Sequence, residues 1–447
     1  MSNSVVLAHV MMWGARVGVV KQSVGKIEFQ FDQKWIDARK EVSPVLMPLS
    51  NEVYSFPELN RIEAFQGLPG LLSDALPDQF GNKIIATYLA KQGRLLSDLT
   101  PVEKLLYMGN RSMGALEFEP AINQPRHKNV DGILEVRSLM EQSRALLQGD
   151  ATDVVQNTLN DLLRVGGSAG GARPKAVVLW DKENNRMRSG FARQLKTEES
   201  WLIKFDGTGT FENPDKEPKP FNRIEFTYSE MARLAGIEMT ETKLFLDGDF
   251  AHFMTKRFDR NYKTKHHVHS LGGMLHVDFN QPGLVGYEQF FATCRKLKLS
   301  QVELEQAYRR MVFNVISVNQ DDHVKNISFM LKEAGAWELS PAYDISFVKG
   351  VGWTKNHQMS IAGELDGDKI SKKMLIDIGK LFDVRKPLEI LSEVANVMGQ
   401  WPEMAKENGV PSSYIEQIQK MHRMHLGTSQ SLMSVAQPGK VEGKKSV

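Results

Sequence analysis

The stretch Asn319-Gln-Asp-Asp-His-Val-Lys-Asn326, followed by Ser340-Pro-Ala-Tyr-Asp-Ile345, is the part of the sequence that predicts both fold and chemistry. It places Asn326 five residues after Asp321, and a further carboxylate, Asp344, one strand-turn-strand later. A kinase active site needs such a set, because one carboxylate orients a substrate hydroxyl while an amide and a second carboxylate hold Mg²⁺ on ATP phosphates. We therefore predict Asp321 as a catalytic residue and Asn326 and Asp344 as Mg²⁺ ligands.

Two further side chains of the first stretch are candidates for the same site. His323 could orient Asp321 through a hydrogen bond, or it could be a structural histidine of the loop. Lys325 could neutralise phosphate charge, as a lysine in a kinase catalytic loop does. The adjacent Asp322 either caps a turn or belongs to the same network. We add His323 and Lys325 to the predicted catalytic residues.

Length and composition predict a soluble protein with more than one domain. The chain has 447 residues, of which 41% are hydrophobic and 25% charged, so two or three ordinary cores are expected. The formal net charge of +2 demands neither a nucleic-acid nor a membrane partner. The one cysteine, Cys294, excludes an internal disulfide framework and is predicted to be a buried apolar side chain. Without a membrane-length apolar run or a signal peptide, we expect a cytoplasmic protein.

Residues 1–125 are predicted to form an α+β module. Short runs rich in β-branched and aromatic residues, punctuated by glycines, are typical of strands, and helical patterns follow them. The predicted strands are Val5–Leu7, Arg16–Val20, Lys26–Asp32 and Ala115–Phe118, and the predicted helices are Leu68–Leu72, Asp78–Lys91 and Pro101–Tyr107.

Residues 126–260 are predicted to form a small sheet crossed by one helix, which is the shape of a kinase N-lobe. A helical region at 132–163 comes first. The later elements are strands in Ala176–Trp180, Ser200–Phe205, Thr242–Leu246 and Phe253–Phe258, and a helix in Arg223–Ala235.

A glycine-rich segment, Val165-Gly-Gly-Ser-Ala-Gly-Gly-Ala-Arg-Pro-Lys175, lies before the first of these strands. Backbone N–H groups in such a turn can bind phosphate, although the segment fits neither the Walker pattern nor G-x-G-x-x-G. A flexible loop without a ligand is the alternative. Its position between helix and sheet favours the phosphate role, and we predict that Gly170, Gly171 and Lys175 contact the nucleotide.

Lys204 lies on an apolar strand and is a candidate for the ATP lysine. A strand lysine can simply face solvent, but in kinases it pairs with the α- and β-phosphates and with a helix glutamate. The next predicted helix offers Glu225 and Glu230, of which Glu225 lies nearer its start.

The segment Thr255-Lys-Arg-Phe-Asp-Arg260 stands where a kinase hinge binds adenine through main-chain groups. Lys256 and Phe258 are therefore predicted to contact the nucleotide. Arg257 and Asp259 could be an ion pair that ties two lobes together.

Residues 261–430 are predicted to form an all-helical C-lobe, and residues 431–447 a disordered tail. An apolar stripe from Leu304 to Ile316 predicts the helix that leads into the opening stretch. Further helices are predicted in Lys372–Phe382, Pro387–Met398 and Ser413–His425. The overall prediction is an α+β, two-lobed, protein-kinase-like fold with a mixed α/β N-terminal half and an all-helical C-terminal lobe.

The histidine cluster His266-His-Val-His269 is a weaker candidate for a metal site. It has no cysteine or acidic companion at ligand spacing and follows lysines, so we interpret it as a solvated loop.

Together these motifs resemble the HipA family of serine/threonine-protein kinase toxins, over nearly the whole chain. Asp74-Ala-Leu-Pro77 and Gly114-Ala-Leu116 resemble the family's N-terminal subdomain. The glycine-rich loop, the ATP lysine, the hinge and the catalytic and metal-binding motifs are matched by Ser168–Lys175, Lys204, Lys256–Arg260, Asp321–Asn326 and Tyr343–Asp344.

The resemblance implies Mg²⁺ and ATP as cofactors and phosphorylation of protein serine or threonine. It implies autophosphorylation of Ser168, which ejects the glycine-rich loop and inactivates the enzyme. It also implies a HipB-like DNA-binding antitoxin as partner, with DNA reached only through the antitoxin. The implied substrate is a translation component such as an aminoacyl-tRNA synthetase, and the implied outcome is growth arrest and persistence. Ala172-Arg-Pro174 in the loop and Lys256 in the hinge depart from the family pattern.

Two other functions remain open from the sequence. A small-molecule kinase of the aminoglycoside-phosphotransferase kind also uses a D-x-x-x-x-N loop. A regulatory subunit that docks on an antitoxin without catalysis is the non-enzymatic alternative, although such a module has no chemical need for Asp321, Asn326 and Asp344 together.

Overall fold

The computed structural model of the chain describes residues 5–121, 132–148, 173–208 and 219–428. Within these ranges, antiparallel sheets and helices pack around two apolar cores. The mixed α/β composition predicted from the sequence is confirmed.

The first part of the chain combines one sheet with four short α-helices. Its elements are β1 (Val6–Met12), β2 (Ala15–Ser23), β3 (Lys26–Phe31), α1 (Gln33–Asp37), α2 (Gly70–Ser73), α3 (Gln79–Ala90), α4 (Pro101–Met108) and β4 (Glu117–Glu119), with 3-10 turns at Pro57–Arg61 and Leu96–Asp98. The strand order is β3-β2-β1-β4. Alternate residues of β1 point into the core, and α4 begins at a capping box between Thr100 and Glu103.

The second part is a five-stranded sheet. Its elements are α5 (Val136–Gln148), β5 (Lys175–Asp181), β6 (Arg186–Ser189), β7 (Glu198–Lys204), α6 (Phe221–Leu234), β8 (Thr242–Asp247) and β9 (Phe250–Lys256), in the strand order β6-β5-β7-β9-β8. One face of the sheet, with Trp180 and Trp201, packs against α5 and against Phe80 and Ile84 of α3. The core of this sheet therefore includes a helix from the first part of the chain. The domain boundaries inferred from the sequence stay predictions.

The third part is mainly helical but also contains strands. Its elements are β10 (Arg260–Asn261), β11 (Thr264–Lys265), β12 (His267–Ser270), α7 (Leu271–Leu275), α8 (Tyr287–Lys296), α9 (Gln301–Ser317), β13 (Ser328–Leu331), β14 (Trp337–Leu339), α10 (Lys372–Leu381), α11 (Pro387–Met398), α12 (Trp401–Glu407) and α13 (Ser412–Met421), with 3-10 turns at Trp353–Lys355 and Met424–Leu426. The helices predicted from the apolar patterns are present, and Cys294 is buried as predicted.

The prediction of an all-helical C-terminal lobe was wrong. Strands β12, β13 and β14 form a three-stranded antiparallel sheet beside the loop of residues 319–326. These strands are only three or four residues long, so each is too short to show a periodic apolar pattern.

The interpretation of the histidine cluster as a solvated loop was also wrong. His267 and His269 are buried on β12. His267 Nε2 lies 3.1 Å from the carbonyl oxygen of Val42, and His269 Nε2 lies 3.1 Å from Ser43 Oγ. The strand is polar in sequence because its side chains hydrogen-bond to the first part of the chain instead of to water.

No helix among the described residues combines the length and the apolar character needed to cross a bilayer.

The first and third parts of the chain meet backbone to backbone at Gly70. Its N–H donates to His276 Nε2 over 2.9 Å, and a Cβ atom built on Gly70 would lie 1.8 Å from the carbonyl oxygen of Gly273. We predict that Gly70→Ala lowers the free energy of unfolding by about 1–3 kcal/mol, because α2 and α7 must move apart. Urea denaturation measures this. The control is Gly399→Ala, where the backbone is right-handed helical and a Cβ lies no closer than 3.2 Å to another atom; equal stability of the two variants would contradict the packing.

Buried histidines at the same interface predict a loss of stability in mild acid. Burial lowers the pKa of His276 to about 4 and that of His267 to about 3. Below about pH 6.5 these histidines are protonated in the unfolded chain but stay neutral in the folded protein. The free energy of unfolding therefore falls as the pH drops from about 6.5 towards the folded-state pKa values, by up to about 1.4 kcal/mol per pH unit for each histidine. In urea denaturation between pH 7.5 and 5.5, His276→Gln should show a shallower dependence on pH than the wild type. Identical slopes for the two proteins would show that burial does not lower the pKa of His276.

Candidate active site

The opening stretch of sequence forms a loop at the end of α9. Val318 closes that helix with a φ of 62°, a left-handed conformation that a β-branched residue rarely adopts. Such strain is kept where the surrounding structure fixes the chain, often at a functional site. The backbone N–H of Asn319 donates to Asn314 O, and that of Gln320 donates to Val348 O. The helix and a neighbouring segment therefore both fix the start of the loop.

Asp322 fixes this loop to the protein interior. Its carboxylate is fully buried and accepts hydrogen bonds of 2.8 Å from Tyr287 Oη and from the backbone N–H of Gln358, and it lies 2.8 Å from His357 Nδ1. These contacts place Asp322 in a buried network with Tyr287, His357 and Gln358, and its membership of the network around Asp321 stays a prediction.

Asp321 points towards the surface, with about a third of its side chain exposed. The indole N–H of Trp353 donates to its Oδ1 over 3.2 Å, and Asn326 Nδ2 donates to its backbone oxygen over 2.9 Å. Burial raises the pKa of Asp321, His323 opposes the shift and the charge of Asp344 adds to it. Asp321 is thus closer to accepting a proton than an ordinary aspartate.

His323 does not hydrogen-bond to Asp321 in this structure. Its Nε2 lies 3.8 Å from Asp321 Oδ1, beyond hydrogen-bond distance, and its Nδ1 accepts from the backbone N–H of Lys325. Its ring packs against Phe279. The predicted orienting bond to Asp321 comes from Trp353 instead.

Lys204 is the centre of a buried charge cluster. Its Nζ lies 2.6 Å from Glu225 Oε1 and 2.5 Å from Asp344 Oδ1. Burial alone would lower the pKa of Lys204, but Asp344 and Glu225 raise it above its ordinary value. Burial would likewise raise the pKa of Asp344, yet Lys204 and Lys175 hold it well below its usual range. Both groups are therefore charged at neutral pH.

Glu225 is held by two cations. Besides Lys204, Arg173 Nη2 contacts its Oε2 at 2.8 Å, while Arg173 Nη1 donates to Asn222 Oδ1. Asn222 Nδ2 in turn donates to Lys204 O over 3.2 Å. Helix α6 is thereby fixed to β7 on the face of the five-stranded sheet that carries Lys204.

Two further lysines of the prediction contact the first part of the chain. Lys175 Nζ lies 3.3 Å from Asp78 Oδ2, and Lys325 Nζ lies 3.8 Å from Asp74 Oδ1. Burial and His269 act in opposite directions on Asp74, and its hydrogen bonds lower its pKa to about 2.

The structure brings one of the two hinge candidates to this cluster. The ring of Phe258 lies 5.8 Å from that of Tyr343, next to Asp344. Lys256 is paired in register with Trp201, on the sheet face opposite Lys204, and its Nζ contacts Glu199; its main-chain contact with the nucleotide stays a prediction. Asp259 is buried between Arg257 and Arg260 and accepts from the N–H of Gly114, so it ties the end of β9 to the first part of the chain.

The glycine-rich candidates Ser168, Gly170 and Gly171 lie outside the described residues, of which Arg173 is the first after them. Asp344 lies on the described part with a φ of 53°, another left-handed residue at the site.

Asp78, Arg173 and Trp353 are members of the site that the sequence did not reveal. Arg173 stood out only as a departure from a loop pattern, and Trp353 has no spacing relation to Asp321. Asp78 carries a local signal for a helix start, but nothing in the sequence relates it to Lys175, which is 97 residues away.

Comparison with models of known protein families identifies the family of this chain. Residues 8–119 match the family model of the HipA N-terminal domain, and residues 167–421 match that of the HipA-like C-terminal domain. This chain belongs to the HipA family. The second match contains every site residue named above except Asp74 and Asp78, which lie in the first.

One solved structure and one curated relative are similar to this chain. A chain of the Shewanella oneidensis MR-1 HipA, HipB and operator DNA complex matches with a TM-score of 0.65 at 15% identity, over 92% of this chain and 95% of that chain, which shows a HipA fold. The "Putative kinase Y4dM" of Sinorhizobium fredii (strain NBRC 101917 / NGR234) is 24% identical over 159 residues. That alignment covers 33% of this chain and only 37% of the relative.

The two candidate partners of Lys204 make a matched pair for mutation. Glu225→Gln removes the charge that Lys204 and Arg173 share in the protein interior, so we predict a loss of about 3 kcal/mol in the free energy of unfolding. Glu230→Gln, on the same helix, changes a carboxylate that accepts from Asn408 Nδ2, a bond that glutamine can keep; we expect a loss below about 1 kcal/mol. Urea denaturation measures the free energy of unfolding of both variants. Equal losses would show that the charge cluster does not depend on Glu225.

Proposed function

We propose that this HipA-family protein is an ATP-dependent serine/threonine-protein kinase with a two-lobed, kinase-like arrangement. The five-stranded sheet with α6 would be the N-lobe, and the part after residue 261 the C-lobe. The observation that carries the proposal is Lys204, held between Glu225 of a helix and Asp344 of the opposite lobe. That triangle is what phosphoryl transfer uses to align a triphosphate.

Asn326 and Asp344 would be the side-chain ligands of a Mg²⁺ ion. Asn326 and Asp344 offer an amide oxygen and a carboxylate, the hard oxygen ligands that Mg²⁺ prefers, and Asp344 is held ionised by Lys204. One or two such side chains suffice, because substrate phosphates and water complete the shell. When bound, the ion neutralises charge on the phosphate oxygens.

The remaining side chains supply positioning and proton handling. Asp321, with its raised pKa, orients the hydroxyl of a substrate serine or threonine and accepts its proton. Lys204 steadies the α- and β-phosphates, and Lys175 and Lys325 add positive charge on either side. The backbone N–H groups of Gly170 and Gly171 would meet the β- and γ-phosphates. Phe258 and the hinge backbone would hold the adenine.

Self-regulation through Ser168 is part of the proposal. A phosphoserine adds roughly two negative charges, so the modified loop would be repelled by the phosphates of ATP in the same site. Competition between the two phosphate groups would then inactivate the enzyme.

We propose that the protein acts as the toxin of a toxin–antitoxin pair. The Shewanella oneidensis structure with the same fold is a toxin–antitoxin complex of HipA with HipB and operator DNA. By that analogy, a HipB-like protein is the antitoxin and DNA is reached only through it. A translation component such as an aminoacyl-tRNA synthetase is the proposed protein substrate, and growth arrest and persistence in the cytoplasm the proposed outcome.

Two experiments separate the alternatives kept from the sequence. Mass spectrometry after incubation with Mg-ATP distinguishes a protein kinase, which gains phosphate on Ser168, from a small-molecule kinase, which does not. Calorimetry with Mg-ATP tests the non-enzymatic alternative, a regulatory subunit that docks on an antitoxin, because such a subunit would not bind Mg-ATP.

The role of Asp321 has a direct test. Asp321→Asn keeps size and leaves the bond from Trp353 possible, but it removes the proton acceptor. We predict that transfer of labelled phosphate from ATP falls at least about 100-fold while ATP affinity in calorimetry stays within about threefold. Asp383→Asn, at a carboxylate with 79% of its side chain exposed, is the control for loss of a charge. Retained transfer by Asp321→Asn would remove Asp321 from the mechanism.

A further inference from the structure

A turn in the N-terminal module contacts two lysines of the phosphate site. We call Asp74-Ala-Leu-Pro-Asp78 the acidic turn. Asp78 Oδ2 lies 3.3 Å from Lys175 Nζ, and both side chains are almost fully buried, at 5% and 4% exposure. Asp74 Oδ1 lies 3.8 Å from Lys325 Nζ. The turn belongs to the segment that matches the HipA N-terminal domain, whereas both lysines belong to the C-terminal match.

The contact of Asp78 with Lys175 offsets the repulsion between two buried lysines on neighbouring strands of the sheet. Lys175 on β5 is the register partner of Lys204 on β7, so both point to the same face. Two buried ammonium groups at neighbouring positions repel each other. Lys204 is compensated by Glu225 and Asp344, and among the described residues the ion pair of Lys175 is with Asp78.

The surroundings of Lys175 make this carboxylate decisive. Burial lowers the pKa of Lys175, and Lys204 lowers it further, while Asp78 and Asp344 act in the opposite direction. Without Asp78, the ammonium would have a like charge beside it and only the shared charge of Asp344 to balance it.

The position of Asp78 is fixed by its role in helix α3. It is the N-cap, and its Oδ1 accepts from the N–H of Gly81 over 2.7 Å, which leaves Oδ2 towards Lys175. The preceding Pro77 restricts the backbone of the turn. Phe80 and Ile84 of α3 pack against the opposite face of the same sheet, so the helix and the strand that carries Lys175 cannot shift independently.

We propose that Asp78 is a positioning residue of the nucleotide site, which keeps the ammonium of Lys175 beside that of Lys204 so that a triphosphate meets two fixed cations. The N-terminal module is then a structural part of the active site and not an appendage to it. This inference rests on the proposed function, because it assigns a role to a residue outside the kinase-like part. Asp78 acts only through Lys175 and touches no reacting atom.

Asp78→Asn in the full-length protein is the principal test. Asparagine is as good an N-cap as aspartate and keeps an oxygen for Gly81, so α3 is retained while the charge is lost. We expect the dissociation constant of Mg-ATP in calorimetry to rise about tenfold, equivalent to about 1.4 kcal/mol. The affinity for adenosine, which has no phosphate, should stay within about twofold. Asp98→Asn, at an exposed carboxylate of the same module, is the matched control and should change neither affinity.

A double-mutant cycle separates positioning from general damage to the fold. In a Lys175→Met background, Asp78→Asn should weaken Mg-ATP binding by less than about twofold, because the residue through which Asp78 acts is gone. The double variant carries no unpaired charge, so it also remains informative if Asp78→Asn alone folds poorly. An equal loss of affinity in both backgrounds, or a loss of adenosine affinity with it, would overturn the inference.

The result for the wild type distinguishes failure of the inference from failure of the function. A wild-type protein that does not bind Mg-ATP contradicts the proposed function and the role of Asp78 together. A wild-type protein that binds Mg-ATP, with Asp78→Asn unchanged, contradicts only the role of Asp78.

Discussion

The bridge from Lys204 to Glu225 and Asp344 is the interaction on which the site depends. It joins strand β7, helix α6 and the segment after β14 at one ammonium group, with contacts of 2.6 and 2.5 Å. A buried charge that lost its partner would cost several kcal/mol, so the three elements are constrained to one relative placement. The same constraint keeps Asp344 ionised in a left-handed conformation that a free loop would not hold.

The chain surrounds that bridge with elements from its whole length. Helix α3, from the N-terminal module, is part of the core under the five-stranded sheet, while α6 packs with the helices of the third part. Buried polar contacts follow the same route: Asp259 accepts from Gly114, and Asp74 from Ser270. The N-terminal module and the rest of the described chain therefore share cores and charges, which is why its acidic turn can reach Lys175 and Lys325.

The sequence predicted those features that local pattern determines. The helix before the loop of residues 319–326 and the strand that carries Lys204 follow from apolar patterns, and the Asp321–Asn326 spacing is a short motif. Contacts set by register were not predictable in the same way. Lys256 on β9 pairs with Trp201 on β7, so its side chain lies on the sheet face opposite Lys204. The sequence does not reveal this antiparallel register. Glu225 and Glu230 differ by about 140° around the helix, so only the docking angle of α6 decides between them.

Charge balance explains what the site can bind. The described side chains at its centre carry four cations and five carboxylates, namely Arg173, Lys175, Lys204 and Lys325 against Asp74, Asp78, Glu225, Asp321 and Asp344. A set with that balance holds its lysines in place but has no surplus positive charge for a bare triphosphate. Under the proposed function, a nucleotide would therefore arrive with its own divalent cation, and Asp344 and Asn326 are oxygen ligands of the kind such a cation prefers. On that proposal, the carboxylates that oppose a bare anionic substrate would make the site selective for the metal complex.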